Sequence, residues 1–153
     1  MAPRRYLFHR SRSRTNPAVV LVLLLCVVAV LLLNQALARG ECVALMNDQK
    51  FNGGVAAPLF GVTCYTAPGP SSFALRFDVP LQPMSVRRTH KARFQVVVHD
   101  PIRLVNTGNR NEDIAAGVRK VNAFIEDRVR DRPTEWFWVH KRWPNEIYKR
   151  SRK

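Results

Sequence analysis

A long apolar run near the N-terminus sets the first limit on how this chain can fold. Residues 18–33 read AVVLVLLLCVVAVLLL, with one thiol as the only polar group among the side chains. Extended to Ala38, the run meets the roughly 20 residues that a helix needs to cross the hydrocarbon of a bilayer. We therefore divide the chain into a basic tail at 1–17, a transmembrane or signal-like helix at 18–38 and a soluble part at 39–153.

The flanks of the apolar run leave its role open. Arginines precede it and Ala36-Leu37-Ala38 ends it, as in a secretory signal with a small-residue cleavage site. The alternative is an uncleaved anchor whose basic end stays in the cytoplasm. The tendency of basic flanks to stay in the cytoplasm would, alone, place residues after the helix on the opposite side of the membrane. Because the remainder holds 20 of the 25 Lys and Arg residues, the charge bias is weak and the topology stays open.

A formal net charge of +14 directs the choice of partners toward anionic surfaces. Phospholipid head groups, phosphorylated glycolipids and nucleic acids all qualify. Basic residues beside an apolar segment favour lipid, since each gains about 1 kcal/mol near an anionic leaflet. The segment EWFWVHKRWP at 135–144 would also suit base stacking, but no RNA-binding motif accompanies it, so we expect a membrane partner and no nucleic acid.

The cysteines and histidines predict no metal site. Outside the apolar run, Cys42 and Cys64 are the only possible disulfide pair, and two buried thiols are the simpler interpretation. The four histidines are scattered and lack the spacing of zinc ligands.

The soluble part has the pattern of a short α/β domain. Continuous apolar residues at 42–46 predict a strand covered on both faces, and extended segments are expected at 80–86 and 94–98. Ser71 or Ser72 is expected to cap a short helix through residues 73–77. A later run predicts a long amphipathic helix, with one apolar stripe made of Ile114, Val118, Val121, Ile125 and Val129.

Four stretches, taken in order, resemble one protein family. They are ALARGECVALMNDQKFNGGVAAPLFG, TAPGPSSFALRF, VPLQPMSV and RPTEWFWVHKRWP. Together they resemble the C-terminal half of the late lipid A biosynthesis acyltransferases, which transfer lauroyl or myristoyl groups. For the fold, the resemblance implies a partial acyltransferase-like mixed sheet with flanking helices, preceded by one N-terminal transmembrane helix.

The resemblance also implies an activity, partners and a location. Enzymes of this family transfer a fatty acyl group from acyl carrier protein to a lipid A precursor and need no cofactor. For this chain, the implied partners are acyl carrier protein as donor and an anionic glycolipid, the lipid A precursor, as acceptor. The implied location is the bacterial inner membrane, with the soluble part on its cytoplasmic face.

Candidate site residues follow from the same resemblance. The loop after residues 42–46 borders the acceptor site in the family, which fits the placement of ligands at the carboxyl ends of sheet strands. The residues expected to bind substrate are Asn47, Asp48, Gln49 and Lys50. Without the resemblance, Asp48 would be assigned to capping a turn. The residues expected at a membrane interface are Trp136, Trp138, Lys141, Arg142 and Trp143.

One signature of the family is missing from the sequence. The family uses a histidine as general base on the acceptor hydroxyl, and an acid five positions later orients the ring. Five positions after the four histidines lie Arg14, Gln95, Leu104 and Asn145. The catalytic residues are therefore unknown, and we expect a truncated chain without independent activity. The alternatives are a non-enzymatic, membrane-anchored basic protein that binds anionic glycolipid or an intact homologue, and an exported single-domain binding protein.

Overall fold

The computed structural model describes residues 16–139 and 141–150. The chain falls into two compact units, Met1–Val43 and Ala44–Lys153. The first unit contains helix α1, Pro17–Ala38. Asn16 caps this helix, because its side-chain oxygen accepts a hydrogen bond from the Ala18 amide at 3.0 Å. Pro17 suits the first turn, where a missing N–H breaks no helix hydrogen bond.

Helix α1 confirms the predicted N-terminal apolar helix. It has 22 residues, none of them buried. At about 1.5 Å per residue its length is about 33 Å, close to the thickness of a bilayer's hydrocarbon core. The helix is therefore long and apolar enough to cross a membrane.

The second unit combines two β-hairpins with helices. Its elements are β1 (Val55–Leu59), β2 (Val62–Thr66), α2 (Gly69–Phe77), β3 (Met84–His90), β4 (Arg93–Val98), α3 (Arg110–Asp131), a 3-10 turn (Pro133–Glu135) and α4 (Asn145–Arg150). Strands β1 and β2 form one antiparallel pair, and β3 and β4 form another. The α/β class is thus confirmed, with the expected sheet present as two short antiparallel pairs.

The core of this unit lies between the β1–β2 hairpin and α3. Leu59 and Cys64 from the hairpin are fully buried against Ile125 and Val129 of the helix. The stripe predicted for α3 therefore forms the helix side of the core. Partly buried side chains surround the cluster, namely Phe60, Val121, Trp136 and Trp143.

Three local predictions are wrong. Residues 42–46 form no strand, because the run is mostly exposed and lacks a covering layer on either face. Helix α2 begins at Gly69 after Pro68, so Ser71 lies inside its first turn and does not cap it. Cys64 is buried as expected, whereas Cys42 is exposed, and both are free thiols.

Candidate functional site

The loop that carries Asp48 is fixed to the end of strand β2. The Phe51 amide donates a hydrogen bond to Tyr65 O at 3.3 Å, and the Gly54 amide donates to Phe51 O at 2.9 Å. Gly54 has no room for a side chain, since a Cβ atom there would overlap the Thr66 carbonyl. The close approach of the two backbones therefore holds the loop against the last residues of β2.

Arg142 reaches the same strand end from the C-terminal segment. Its guanidinium donates one hydrogen bond to Tyr65 O at 2.5 Å and another to Thr66 Oγ1 at 2.7 Å. Arg142 is only 1% exposed. Two distant parts of the chain thus meet at the end of β2, and the position of Arg142 is set by two directional contacts.

A buried polar network continues from this arginine into helix α3. Thr66 Oγ1 donates a hydrogen bond to Asn122 Oδ1 at 3.0 Å. Asn122 Nδ2 in turn donates to Pro58 O at 3.0 Å. Asn122 and Thr66 are both 0% exposed, so these bonds form in a low-dielectric interior where they are strong. The network ties β1, β2, α3 and the C-terminal segment into one support for Arg142.

The two segments border one small cavity. Its lining consists of Met46, Asp48, Gln49, Trp136, Phe137 and Arg142, and its volume is about 200 Å³. Ligand pockets usually enclose roughly 300–1,000 Å³. The cavity therefore suits one ring-sized chemical group and not a whole lipid.

Two residues that line the cavity each carry a buried polar atom with unused hydrogen-bonding capacity. Within residues 16–139 and 141–150, Asp48 Oδ1 and Arg142 Nε are buried and have no hydrogen-bond partner. Burying such atoms unpaired costs about 1–3 kcal/mol each, so a ligand group that reached them would gain affinity. One is an acceptor and the other a donor, and two aromatic rings lie beside them. This combination is suited to a hydroxylated ring, which offers both polar groups and apolar faces.

The arginine gives the cavity a fixed positive charge. Burial lowers the pKa of Arg142, and this effect is partly offset by Cys64 and by Asp48. A guanidinium still remains protonated at any physiological pH. The cavity therefore pairs a desolvated cation with a carboxylate, an arrangement that suits a polar group with both donors and acceptors.

The remaining candidates from the Asp48 loop do not line the cavity. Asn47 and Lys50 are half-buried on either side of Asp48 and Gln49. The side-chain amide of Asn47 is buried, and it has no hydrogen-bond partner in the part of the chain that the structure describes. The structure thus brings Asp48 and Gln49 to the cavity and leaves their two neighbours beside it.

The five residues expected at a membrane interface also have different surroundings. Trp136 and Arg142 line the cavity, whereas Trp138 donates its indole N–H to Pro133 O at 2.6 Å. Trp143 donates to the carbonyl of a core strand residue at 3.1 Å, and Lys141 is exposed. The role of this segment at a membrane interface stays a prediction, as does substrate binding by residues 47–50.

Some residues of the site escaped the sequence analysis. Phe137 and Met46 complete the lining, and Asn122 supports it from α3. Asn122 had a readable signal, since it lies four residues after Val118 on the apolar face of an amphipathic helix. A polar side chain at such a position indicates a buried hydrogen bond.

The histidines lie outside this cavity or outside the described residues. His99 Nε2 lies 2.8 Å from Ser85 Oγ, and its ring packs edge-on against Phe124 at 4.9 Å between centroids. His90 is exposed, and His9 and His140 are outside the residues that the structure describes. In the described ranges, no group of three or more His, Cys, Asp or Glu residues could hold a metal ion.

Comparison with known protein families gives a match. A family profile for bacterial lipid A biosynthesis acyltransferases matches residues 26–145, well over half of the chain. The matched range includes the Asp48 loop, both hairpins, α3 and the segment that carries Arg142. No curated protein matches the chain significantly. This chain therefore belongs to the bacterial lipid A biosynthesis acyltransferase family.

Proposed function

We propose that this protein takes part in fatty acyl transfer from acyl carrier protein to a lipid A precursor, and that it supplies the acceptor-binding wall. The observation that carries the proposal is the cavity between Asp48 and Arg142, with its unpaired acceptor and donor beside aromatic rings. Family membership supports acyl transfer as the reaction class.

Each side chain at the cavity has a role that fits its chemistry. The Asp48 carboxylate accepts a hydrogen bond from a hydroxyl of the sugar head group, and Arg142 Nε donates to a ring or acyl oxygen. The guanidinium charge also attracts a neighbouring phosphate. Trp136 and Phe137 cover the apolar face of the sugar ring, and the volume of about 200 Å³ admits one such ring.

The transfer in this family uses a histidine base, which none of the described lining residues supplies. The acceptor hydroxyl oxygen forms an ester bond to the acyl carbon, the thioester bond breaks, and the carrier thiol leaves with a proton. A general base must lie within hydrogen-bond reach of that hydroxyl as it attacks. Because none of the described residues that line the cavity is a histidine, we propose that the chain alone binds acceptor without turnover. The proposed location is the cytoplasmic face of the inner membrane, as the family resemblance implies.

Binding of a lipid A disaccharide precursor to the full chain tests this proposal. In detergent micelles, Asp48→Asn is expected to weaken binding by about tenfold or more, because a hydrogen bond to a charged group contributes about 1.5–3 kcal/mol. Asp78→Asn is the control, since Asp78 is exposed at the end of α2, in a left-handed conformation that Asn tolerates. Equal affinity of wild type and Asp48→Asn, or no binding by wild type, would contradict the proposal.

A chemical-rescue assay separates an acyltransferase from a glycolipid-binding protein. With acyl carrier protein charged with a fatty acid and the precursor present, free imidazole can act in place of a missing histidine base. Slow transfer that depends on imidazole and is reduced by Asp48→Asn is expected. Binding without any imidazole-dependent transfer would favour the non-enzymatic alternative, and rapid transfer without imidazole would show that a base exists elsewhere.

A further inference from the structure

The β3–β4 hairpin presents an apolar face to solvent. Antiparallel register places Met84 opposite Val98 and Val86 opposite Val96. Phe94 continues the same face, because side chains alternate along a strand. These five side chains are each between 53% and 62% exposed. We call this surface the outer face of the hairpin.

The opposite face of the hairpin is anchored to the domain. Ser85 and Val97 on that side are half-buried. Ser85 contacts the ring of His99, which packs against Phe124 of α3. The hairpin therefore has one fixed side and one free apolar side, and the exposure of the outer face is a property of the folded unit.

Cations lie at the turn end of the hairpin, and Arg88 shares the outer face because it lies opposite Phe94. Residues 79–99 contain no Asp or Glu, but they include Arg87, Arg88, Lys91 and Arg93. The Arg88 guanidinium lies over the Phe94 ring, 5.3 Å from its centroid. This geometry lets the charged group lie at the edge of an apolar surface, as arginine does at a membrane interface.

We propose that the outer face docks on an anionic phospholipid bilayer. The apolar side chains enter the boundary of the acyl chains while the cations reach the phosphate groups, which is how amphipathic surface elements bind membranes. A second copy of the chain fits less well, because two such faces would bring two cationic segments that lack Asp and Glu together. This docking is independent of the acyl-transfer proposal.

Depth measurement on the full chain tests the docking. The chain is placed in nanodiscs of phosphatidylglycerol and phosphatidylcholine, with Cys26→Ala and Cys42→Ser to remove the exposed thiols. A fluorescent label on Val96→Cys is compared with the same label on Gln95→Cys, which lies on the opposite face of the same strand. Nitroxide-bearing lipid is expected to quench the label at 96 about threefold more strongly than the label at 95. Val86→Cys repeats the test from the partner strand.

Charge variants and competitors determine what covers the face. Replacing Arg88 by Gln should reduce the docked-to-undocked ratio about fivefold, whereas the control Lys149→Gln on α4 should leave it unchanged. Equal quenching at positions 95 and 96 would overturn the proposal. So would quenching that persists in pure phosphatidylcholine, self-quenching between labelled copies, or protection of position 96 by acidic acyl carrier protein and not by lipid.

Discussion

Replacing Arg142 by methionine removes the contacts that join the C-terminal segment to strand β2. Methionine keeps an unbranched apolar stem but loses the hydrogen bonds to Tyr65 O and Thr66 Oγ1. Each bond from a charged donor contributes about 1.5–3 kcal/mol, so the gross loss is about 3–6 kcal/mol. Part of this is offset because the variant no longer buries a cation, whose desolvation lowers the pKa of Arg142. The expected net loss is about 2–4 kcal/mol, which is large beside typical protein stability.

Urea unfolding of the full chain in detergent micelles measures this loss. Tryptophan fluorescence reports the transition, since Trp136 and Trp143 pack against the core beside Arg142. Lys141→Met is the matched control, because it removes the same charge from an exposed neighbour and should change stability by less than about 0.5 kcal/mol. If Arg142→Met and Lys141→Met unfold at the same urea concentration, the buried network does not support the site as described.

Two further predictions concern stability. Gly54→Ala should destabilise the protein by about 1–3 kcal/mol or more, because the new Cβ would overlap the Thr66 carbonyl. The control Gly53→Ala should be neutral or slightly stabilising, because its Cβ would lie at an ordinary contact distance from the Phe51 ring. Equal melting temperatures of the two variants would refute this steric reasoning. The pKa of Glu126 is lowered by the hydrogen bond from Arg130 and by a hydrogen bond from the Phe60 amide. The charged carboxylate therefore stabilises the fold above the ordinary pKa of 4.5, and this stabilisation is lost as the pH falls through the lowered pKa. Glu126→Gln should therefore be less stable than wild type at pH 7, with a gap that closes below pH 4.5, and a gap that stays constant with pH would contradict this assignment.

The regular elements were predictable where a local pattern repeats. Helix α3 carries the apolar stripe that the spacing from Ile114 to Val129 predicted, with polar residues around it. Strand β4 is rich in β-branched valine and overlaps the extended segment predicted at 94–98. Pro80 and Pro83 precede β3, which begins inside the extended segment predicted at 80–86. The strand predicted at 42–46 is absent. A short continuous apolar segment has no periodicity, so its burial depends entirely on what packs against it.

The candidate site was predictable only in part, because it depends on contacts between distant residues. The loop at 47–50 and the segment at 136–143 were each identified from their own sequence. Their meeting at β2 requires hydrogen bonds that span 77 residues, which no local pattern encodes. Arg142 was assigned to a membrane interface from the resemblance, and the hydrogen bonds to Tyr65 and Thr66 explain its 1% exposure.

The occupant of the cavity can be identified directly by photolabelling. A lipid A precursor with a diazirine on its sugar head group is added to the full chain in nanodiscs, and labelled peptides are mapped by mass spectrometry. Labels are expected at residues 46–49 and 136–142, and excess unlabelled precursor should remove them. Labels confined to other segments, or labels that excess precursor does not displace, would show that the cavity between Asp48 and Arg142 does not hold the acceptor.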